Sequence, residues 1–528
     1  MRIGIPAPAR VRRRTPGPLV PHPADVYYGL GDFHRRRIRP AMGALRRSVG
    51  ATLPWVIAIG LALALRHMVI YWPEYRVIAV VVFVLSIPAF IKWVELTVIF
   101  NIIFISGLFA APRPITVGGQ GFKPHEIMVI LGFAVAFYKL YSDRSARLPK
   151  SPITLPLVLF LLTIGIGLFM SWRTYLGDPR GLYPFTFMYN EIRDYFMYLT
   201  FFIFLYGIRT EKQLKRILYV ALGVSAIVGL LMVVQYFVGP GTRIFFGRVE
   251  ALQTAEAVVT RTLPPGIQLI LVFFPLTVYL AARAPLKYSG WYVVLASTLG
   301  LGLLFTFTRN WWLTSIISLL IIALVSRRDI GVRTVIYGCL VVALALAMSV
   351  FAGGRGLIHG EGFASGIYHR FVTSFTVRGE TMVERNIENH IAWNRIKENW
   401  LLGIGTGVPI IYQYGWHPSG RTQVQARTWI HNCYLEIWLL YGLPGIVFFL
   451  WLLIAVLWRS LYIYRHARDD LTRAIGISVF AATVGVIIRA WPTMNLTREP
   501  YSMIAIVGVW GLLEAAWNVH ESRKMTSA

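Results

Sequence analysis

Residues 431–445 read His431-Asn432-Cys433-Tyr434-Leu435-Glu436-Ile437-Trp438-Leu439-Leu440-Tyr441-Gly442-Leu443-Pro444-Gly445. A titratable histidine heads the stretch, and an apolar run continues behind it to Leu457. Asn432 is a favoured helix N-cap, so the sequence predicts a helix that begins there. A polar group placed where a loop enters a bilayer is costly and tends to be functional. The long polar segment before it contains Arg385 and the glycine cluster Gly403-Ile404-Gly405-Thr406-Gly407. Together these features point to chemistry at a membrane surface.

Composition agrees with that reading. The chain has 528 residues, is 56% hydrophobic and 14% charged, and has a mean hydropathy of +0.59. A soluble protein would carry about 25% charged residues. Apolar runs of roughly 17 to 25 residues, the length that crosses a bilayer as a helix, recur throughout. The sequence therefore predicts an all-α polytopic membrane protein with about 12–14 transmembrane helices and one long extracytoplasmic loop containing amphipathic helices. The formal net charge of +28 does not argue for nucleic acid. The basic residues lie mainly in short segments between apolar runs, as the positive-inside rule requires. Cys339 and Cys433 lack metal-ligand spacing.

Fourteen candidate spans emerge, at 53–71, 77–91, 93–110, 124–141, 152–170, 190–208, 217–238, 264–282, 291–308, 311–325, 334–351, 432–457, 474–490 and 500–517. Four regions follow: a basic, Pro-rich cytoplasmic tail over 1–50, expected to be disordered; a helix bundle over 51–351; the long loop, 352–430; and C-terminal transmembrane helices over 431–528. Basic loops at Arg144–Lys150, Arg209–Arg216, Arg283–Lys287, Arg327–Arg333 and Arg459–Arg473 alternate correctly if both termini are cytoplasmic. The long loop, Arg309 and Arg489 then fall on the opposite side. Within that loop Val383, Ile387, Ile391, Ile396 and Trp400 recur at helical spacing, which predicts an amphipathic helix. Arg385, Asn389 and Ala392 lie on a different face of it.

Three residues are candidates for chemistry, and each has a plainer reading. Arg309, in Thr306-Phe307-Thr308-Arg309-Asn310-Trp311-Trp312, offers a fork that matches phosphate oxygens. The plainer reading is an interfacial anchor. Arg385 is a second cation, against a surface charge paired with Glu388. His431 is suited to general base work, since an ordinary imidazole is mostly neutral at neutral pH. The plainer reading is a residue of a helix-capping segment. Glu380, Glu384 and Glu388 are spaced for a divalent ion, but no accompanying ligand pattern supports a metal. The glycine cluster lacks the ending of a phosphate loop, and a tight turn accounts for it.

Taken in order, these residues resemble the O-antigen ligase and O-antigen polymerase superfamily of bacterial envelope proteins. The matching features are the span ending Thr306 to Arg309; the helix from Arg385 to the turn Gly403-Ile404-Gly405-Thr406-Gly407; and His431-Asn432-Cys433-Tyr434-Leu435 followed by Gly442-Leu443-Pro444-Gly445. The resemblance covers roughly 290–457. It implies a glycosyltransferase of the bacterial cytoplasmic (inner) membrane, multi-pass, with its site facing the periplasm or cell exterior. The donor it implies is a polyprenyl-pyrophosphate-linked glycan, and the acceptor a hydroxyl of a glycan, lipid or protein. The lipid bilayer is the third partner; nucleic acid, cofactor and metal are not expected. Arg309 and Arg385 would clamp the pyrophosphate and His431 would act as base. Asn432 and Arg489 would bind substrate. Ligase and polymerase differ only in acceptor and are not separated here. The alternative is a polytopic transporter of a small anion, which should carry charge at the bilayer midplane. Most spans are uncharged there.

Overall fold

The computed structural model describes residues 84–108, 115–117, 120–142, 149–176, 185–244, 247–253, 258–354, 380–416 and 422–527. The basic tail and the expected span at 53–71 lie outside them. Of the span expected at 77–91, the part from residue 84 is helical.

The described chain is mainly helical. In order come α1 (Glu95–Ile105), α2 (Pro124–Ser142), α3 (Thr154–Leu176), α4 (Phe185–Tyr195), α5 (Thr200–Gly207), α6 (Glu211–Val238), α7 (Ile267–Arg283) and α8 (Leu286–Leu304). Then follow α9 (Arg309–Val325), α10 (Arg328–Gly354), α11 (Glu380–Asn399), α12 (Cys433–His466), α13 (Asp470–Ala490) and α14 (Pro500–Ser527). Six helices among the described residues are long and apolar enough to cross a membrane, and four shorter apolar helices accompany them. The chain is an all-α polytopic membrane protein.

Local signals place the helix ends. Thr210 caps α6 in a reciprocal box with Gln213, and the Asp469 side chain accepts the Thr472 amide at the start of α13. Each arrangement occupies an amide that the first turn leaves orphaned. Large apolar side chains such as Leu324, at 83% exposed, and Trp291, at 76%, point outward. On a soluble protein that surface would be a liability; in hydrocarbon it is the solvated face. Helices approach closely where side chains are small: a Cβ on Gly302 would sit 3.1 Å from the Gly229 Cα across the α6–α8 contact. Inside, Phe160, Tyr195, Tyr198, Tyr441 and Phe449 form one aromatic knot joining α3, α4 and α12.

The expected pattern is broken in two ways. The span expected at 190–208 is divided into α4, a 3-10 turn at Phe196–Leu199, and α5. Three two-stranded hairpins also interrupt the helices: β1 (Ile115–Val117) with β2 (Gln120–Phe122), β3 (Arg248–Gln253) with β4 (Val258–Leu263), and β5 (Ile411–Trp416) with β6 (Thr422–Arg427). These strands are only three to six residues long, too short for alternation to stand out from the loops around them.

The glycine cluster has a clear mechanical purpose. α12 is broken at Gly442, whose φ of 64° and ψ of −162° are not helical. The break exposes the carbonyls of Leu439 and Leu440. The Ile404 and Gly405 amides donate to them at 2.8 and 3.1 Å, and the Leu443 amide returns a bond to Trp400 O at 2.9 Å. The turn can enter this gap because Gly403, Gly405 and Gly407 take positive φ and carry no side chain. A Cβ on Gly403 would stand 2.5 Å from Leu440 O. The cluster is a backbone plug.

Candidate functional site

The loop helix α11 carries one side of the site. Its buried positions are Glu388, Ala392 and Ile396, at successive i, i+4 steps. The expected apolar stripe is thus only partly the packed face: Ile387 and Trp400 are exposed. Seen from the loop alone, apolar residues mark the buried side; here the buried stripe contains a carboxylate, because α11 packs against the start of α12.

That contact surrounds His431. Glu388, 2% exposed, receives the His431 main-chain amide on Oε2 at 2.9 Å. The same Oε2 lies 2.9 Å from His431 Nδ1, and Oε1 lies 3.2 Å from it. Arg427, at the end of β6, donates Nη1 to Glu388 Oε1 at 2.6 Å and to the exposed Glu384 at 3.3 Å. Its guanidinium lies 4.4 Å above the Trp429 ring, which meets the His431 ring edge-on. Burial opposes ionisation of Glu388, but the bonds from His431 and the charge of Arg427 outweigh it and hold the carboxyl below its ordinary value. Asn432 fills two roles. Its Oδ1 accepts the Tyr434 and Leu435 amides as an N-cap. Its Nδ2 donates to Asn389 Oδ1 at 3.2 Å, one turn along α11 from Arg385.

Arg385 therefore shares a helix face and a neighbourhood with Glu388 and Asn389. It is half-buried, and burial lowers its pKa although Glu388 and Glu384 oppose the shift. Its Nε has no hydrogen-bond acceptor among the described residues.

Arg309 opens α9 beyond a strained turn. Phe307 has φ of 44°, the one positive value for a residue other than glycine among those described. Such a backbone costs about 1–2 kcal/mol and persists only where surroundings impose it. They do so here. Phe307 is fully buried against Tyr236 and Trp312. From the β3–β4 hairpin, Arg261 donates to Thr306 O at 3.3 Å and Thr308 Oγ1 at 3.0 Å, with Glu250 as its counter-ion at 2.8 Å. Beneath this turn an apolar pocket of about 480 Å³ lies between α8, α9 and α10, lined by Leu303, Leu304, Trp312, Ile316, Leu319 and Val342 among others.

Arg489 closes α13 in a different setting. It is 4% exposed. Its guanidinium stacks 3.8 Å from the Trp311 ring centroid and donates to Gln268 at 3.2 Å and Glu499 at 3.0 Å. It thus ties the first turn of α9 to α7 and to the loop before α14. The structure joins His431 and Asn432 to α11 through Glu388 and Asn389, with Arg385 about one turn away on that helix, and places Arg489 against the helix that Arg309 begins.

Sequence reasoning missed Glu388 as a partner of His431, assigning it instead to Arg385 or to a carboxylate trio. Also missed was Arg498, which is buried between Glu191, at 2.9 Å, and Glu436, at 2.7 Å, and donates to Thr428 O at 2.8 Å.

The O-antigen ligase family model matches residues 292–450. The match runs from α8 into α12 and contains Arg309, Arg385, His431 and Asn432, while Arg489 lies beyond it. No curated protein matches the chain. This segment supports the O-antigen ligase and polymerase superfamily and, in general terms, an O-antigen ligase-like transfer of glycan by a multi-pass membrane protein.

Proposed function

We propose that the protein is a glycosyltransferase that moves a glycan from a polyprenyl pyrophosphate to a hydroxyl of a sugar, lipid or protein. The observation that supports this reading is the docking of α11 on α12, which brings the His431 ring onto Glu388, a carboxylate close enough to Arg385 to act on its charge. The site works on the extracytoplasmic face of the cytoplasmic membrane, the side that the basic-loop alternation assigns to the long loop.

In the reaction the acceptor oxygen attacks the anomeric carbon as His431 takes its proton. The bond from that carbon to the phosphate oxygen breaks, and the pyrophosphate lipid leaves with the electron pair. Charge grows on the leaving group, so fixed positive charge aimed at it is a large catalytic term. Arg309 and Arg385 supply it, and each charged hydrogen bond is worth about 1.5–3 kcal/mol. Asn432 holds the helix start and its neighbour Asn389, within reach of sugar hydroxyls. Arg489 contributes from beneath, fixing Trp311 and with it the first turn that bears Arg309. The apolar pocket between α8, α9 and α10 suits the first isoprene units of the donor.

The test is deletion of the gene followed by analysis of lipid-linked glycans. Single repeats held on the polyprenyl carrier identify a polymerase, and long chains held there a ligase. An unchanged lipid-linked pool would overturn the proposal.

A further inference from the structure

We infer that Glu388 is the positioning residue of the base: it fixes His431 with the proton on Nδ1, so that Nε2 is the atom that takes the acceptor's proton. The inference rests on the reading of His431 as base and adds the group that makes it one.

The geometry leaves little choice of tautomer. An ionised carboxylate can only accept. Glu388 lies within hydrogen-bond distance of Nδ1 with both oxygens, at 2.9 and 3.2 Å, and also accepts the main-chain amide of the same residue at 2.9 Å. Two bonds to one residue fix the ring's direction as well as its proton. The neutral ring then presents its lone pair at Nε2. Proton transfer makes an imidazolium, and its positive charge forms directly beside the Glu388 carboxylate. This is the orienting arrangement seen wherever a third group holds a catalytic base.

Other charges around the ring fit the role. From α11 come Glu384, Arg385 and Glu388; from the end of β6 comes Arg427; from α12 comes Glu436, which feels the His431 charge through space. Arg427 donates directly to Glu388 Oε1 at 2.6 Å and adds to the bonds from His431 that favour the ionised carboxylate. A helix-dock salt bridge would need only Glu388 and Arg427. The second oxygen's contact with the ring is what a purely structural pair does not require.

The experiment uses the full-length protein in lipid nanodiscs, with the polyprenyl-linked glycan extracted from cells lacking the gene as donor. Rates are measured across pH for wild type, Glu388→Gln, Arg427→Gln and His431→Gln. Glu388→Gln should lower kcat by roughly 10- to 100-fold, a positioned-proton-transfer effect, with KM for the extracted donor within about twofold of wild type. Its acid limb should move to lower pH, because an imidazolium without its carboxylate forms less readily. Arg427→Gln should move the acid limb the other way, since it removes a positive charge and leaves the carboxylate. Opposite shifts separate positioning from general damage, and Arg427→Gln remains informative should Glu388→Gln not fold. Unmoved acid limbs, or a kcat of Glu388→Gln equal to wild type, would overturn the inference while His431→Gln stays inactive. A fully active His431→Gln would instead remove the base itself.

Discussion

Replacing Gly403 by alanine tests whether the glycine turn holds the broken helix together. Gly403 has φ of 75°, and a Cβ there would meet Leu440 O at 2.5 Å and Gly442 N at 2.7 Å. Left-handed backbone with a side chain costs about 1–2 kcal/mol. Because the nearest atoms are backbone, the turn must also back out of the gap. That movement weakens the bonds from Ile404 and Gly405 to Leu439 and Leu440, at about 0.5–1.5 kcal/mol each. The sum is about 2–5 kcal/mol, which should lower the apparent Tm by about 2–5 °C in a protein of this size. The chain carries its own probe. Cys433 is fully buried and Cys339 is exposed, so in a Cys339→Ser background a thiol-reactive fluorophore in detergent reports unfolding through Cys433. Gly223→Ala is the control, because no atom lies within 4 Å of its added Cβ and alanine is favoured in a helix by roughly 0.5–1 kcal/mol. If Gly403→Ala melts with the control, the plug is not a structural element and the account of the α12 break is wrong.

Further outcomes follow from the site. Arg309→Ala and Arg385→Ala should each abolish nearly all glycan transfer while the protein still inserts, and lysine should rescue poorly because it lacks the planar fork; near-normal transfer by both alanine variants would remove the pyrophosphate clamp. Cysteines at Ser365 and Ser419, in a background without Cys339 and Cys433, should react with an impermeant thiol reagent on spheroplasts; labelling only after lysis would reverse the orientation. Acid should loosen α11 from α12 in a defined window. Glu388 has a depressed pKa when folded, so its contribution is complete above about pH 4.3, the ordinary glutamate value, and is lost as pH falls through the lower folded value. Hydrogen exchange at the His431 amide should accelerate only in that acid range, and acceleration starting near neutrality would contradict the assignment.

The bundle was legible because hydrocarbon imposes one simple rule, continuous apolar length, and α6, α13 and α14 obey it. The head of α12 was equally legible, since Asn432 caps from within its own segment. What stayed hidden depends on contacts between distant segments. Glu388 and His431 are 43 residues apart, and nothing local marks that carboxylate as a neighbour of the ring rather than of Arg385. The same holds for the exposed Ile387 and Trp400 on α11: amphipathic spacing reveals a helix, but its buried side depends on what the partner helix offers. The division of the 190–208 span had no Pro or Gly between Phe196 and Leu199 to announce it.

The position of His431 is fixed from two directions. From α11, Glu388 holds its ring and its amide. From the other side Arg498 donates to Thr428 O, three residues upstream, while its charge is balanced by Glu191 and Glu436, both fully buried. Glu191 in turn accepts the amide of Gly407, the last glycine of the plug. A buried group of two carboxylates and one guanidinium is an expensive way to stabilise a fold, since apolar residues of similar volume often serve as well or better. Its removal piece by piece would cost about 3–5 kcal/mol, because each loss strands a buried charge. The arrangement makes sense as a placement device. It ties the loop before His431, the glycine plug at the α12 break and the α4 helix to one point, so the base we propose cannot drift without exposing a charge. Proton transfer requires that constancy, because reacting atoms displaced by an ångström can lose about 100-fold in rate.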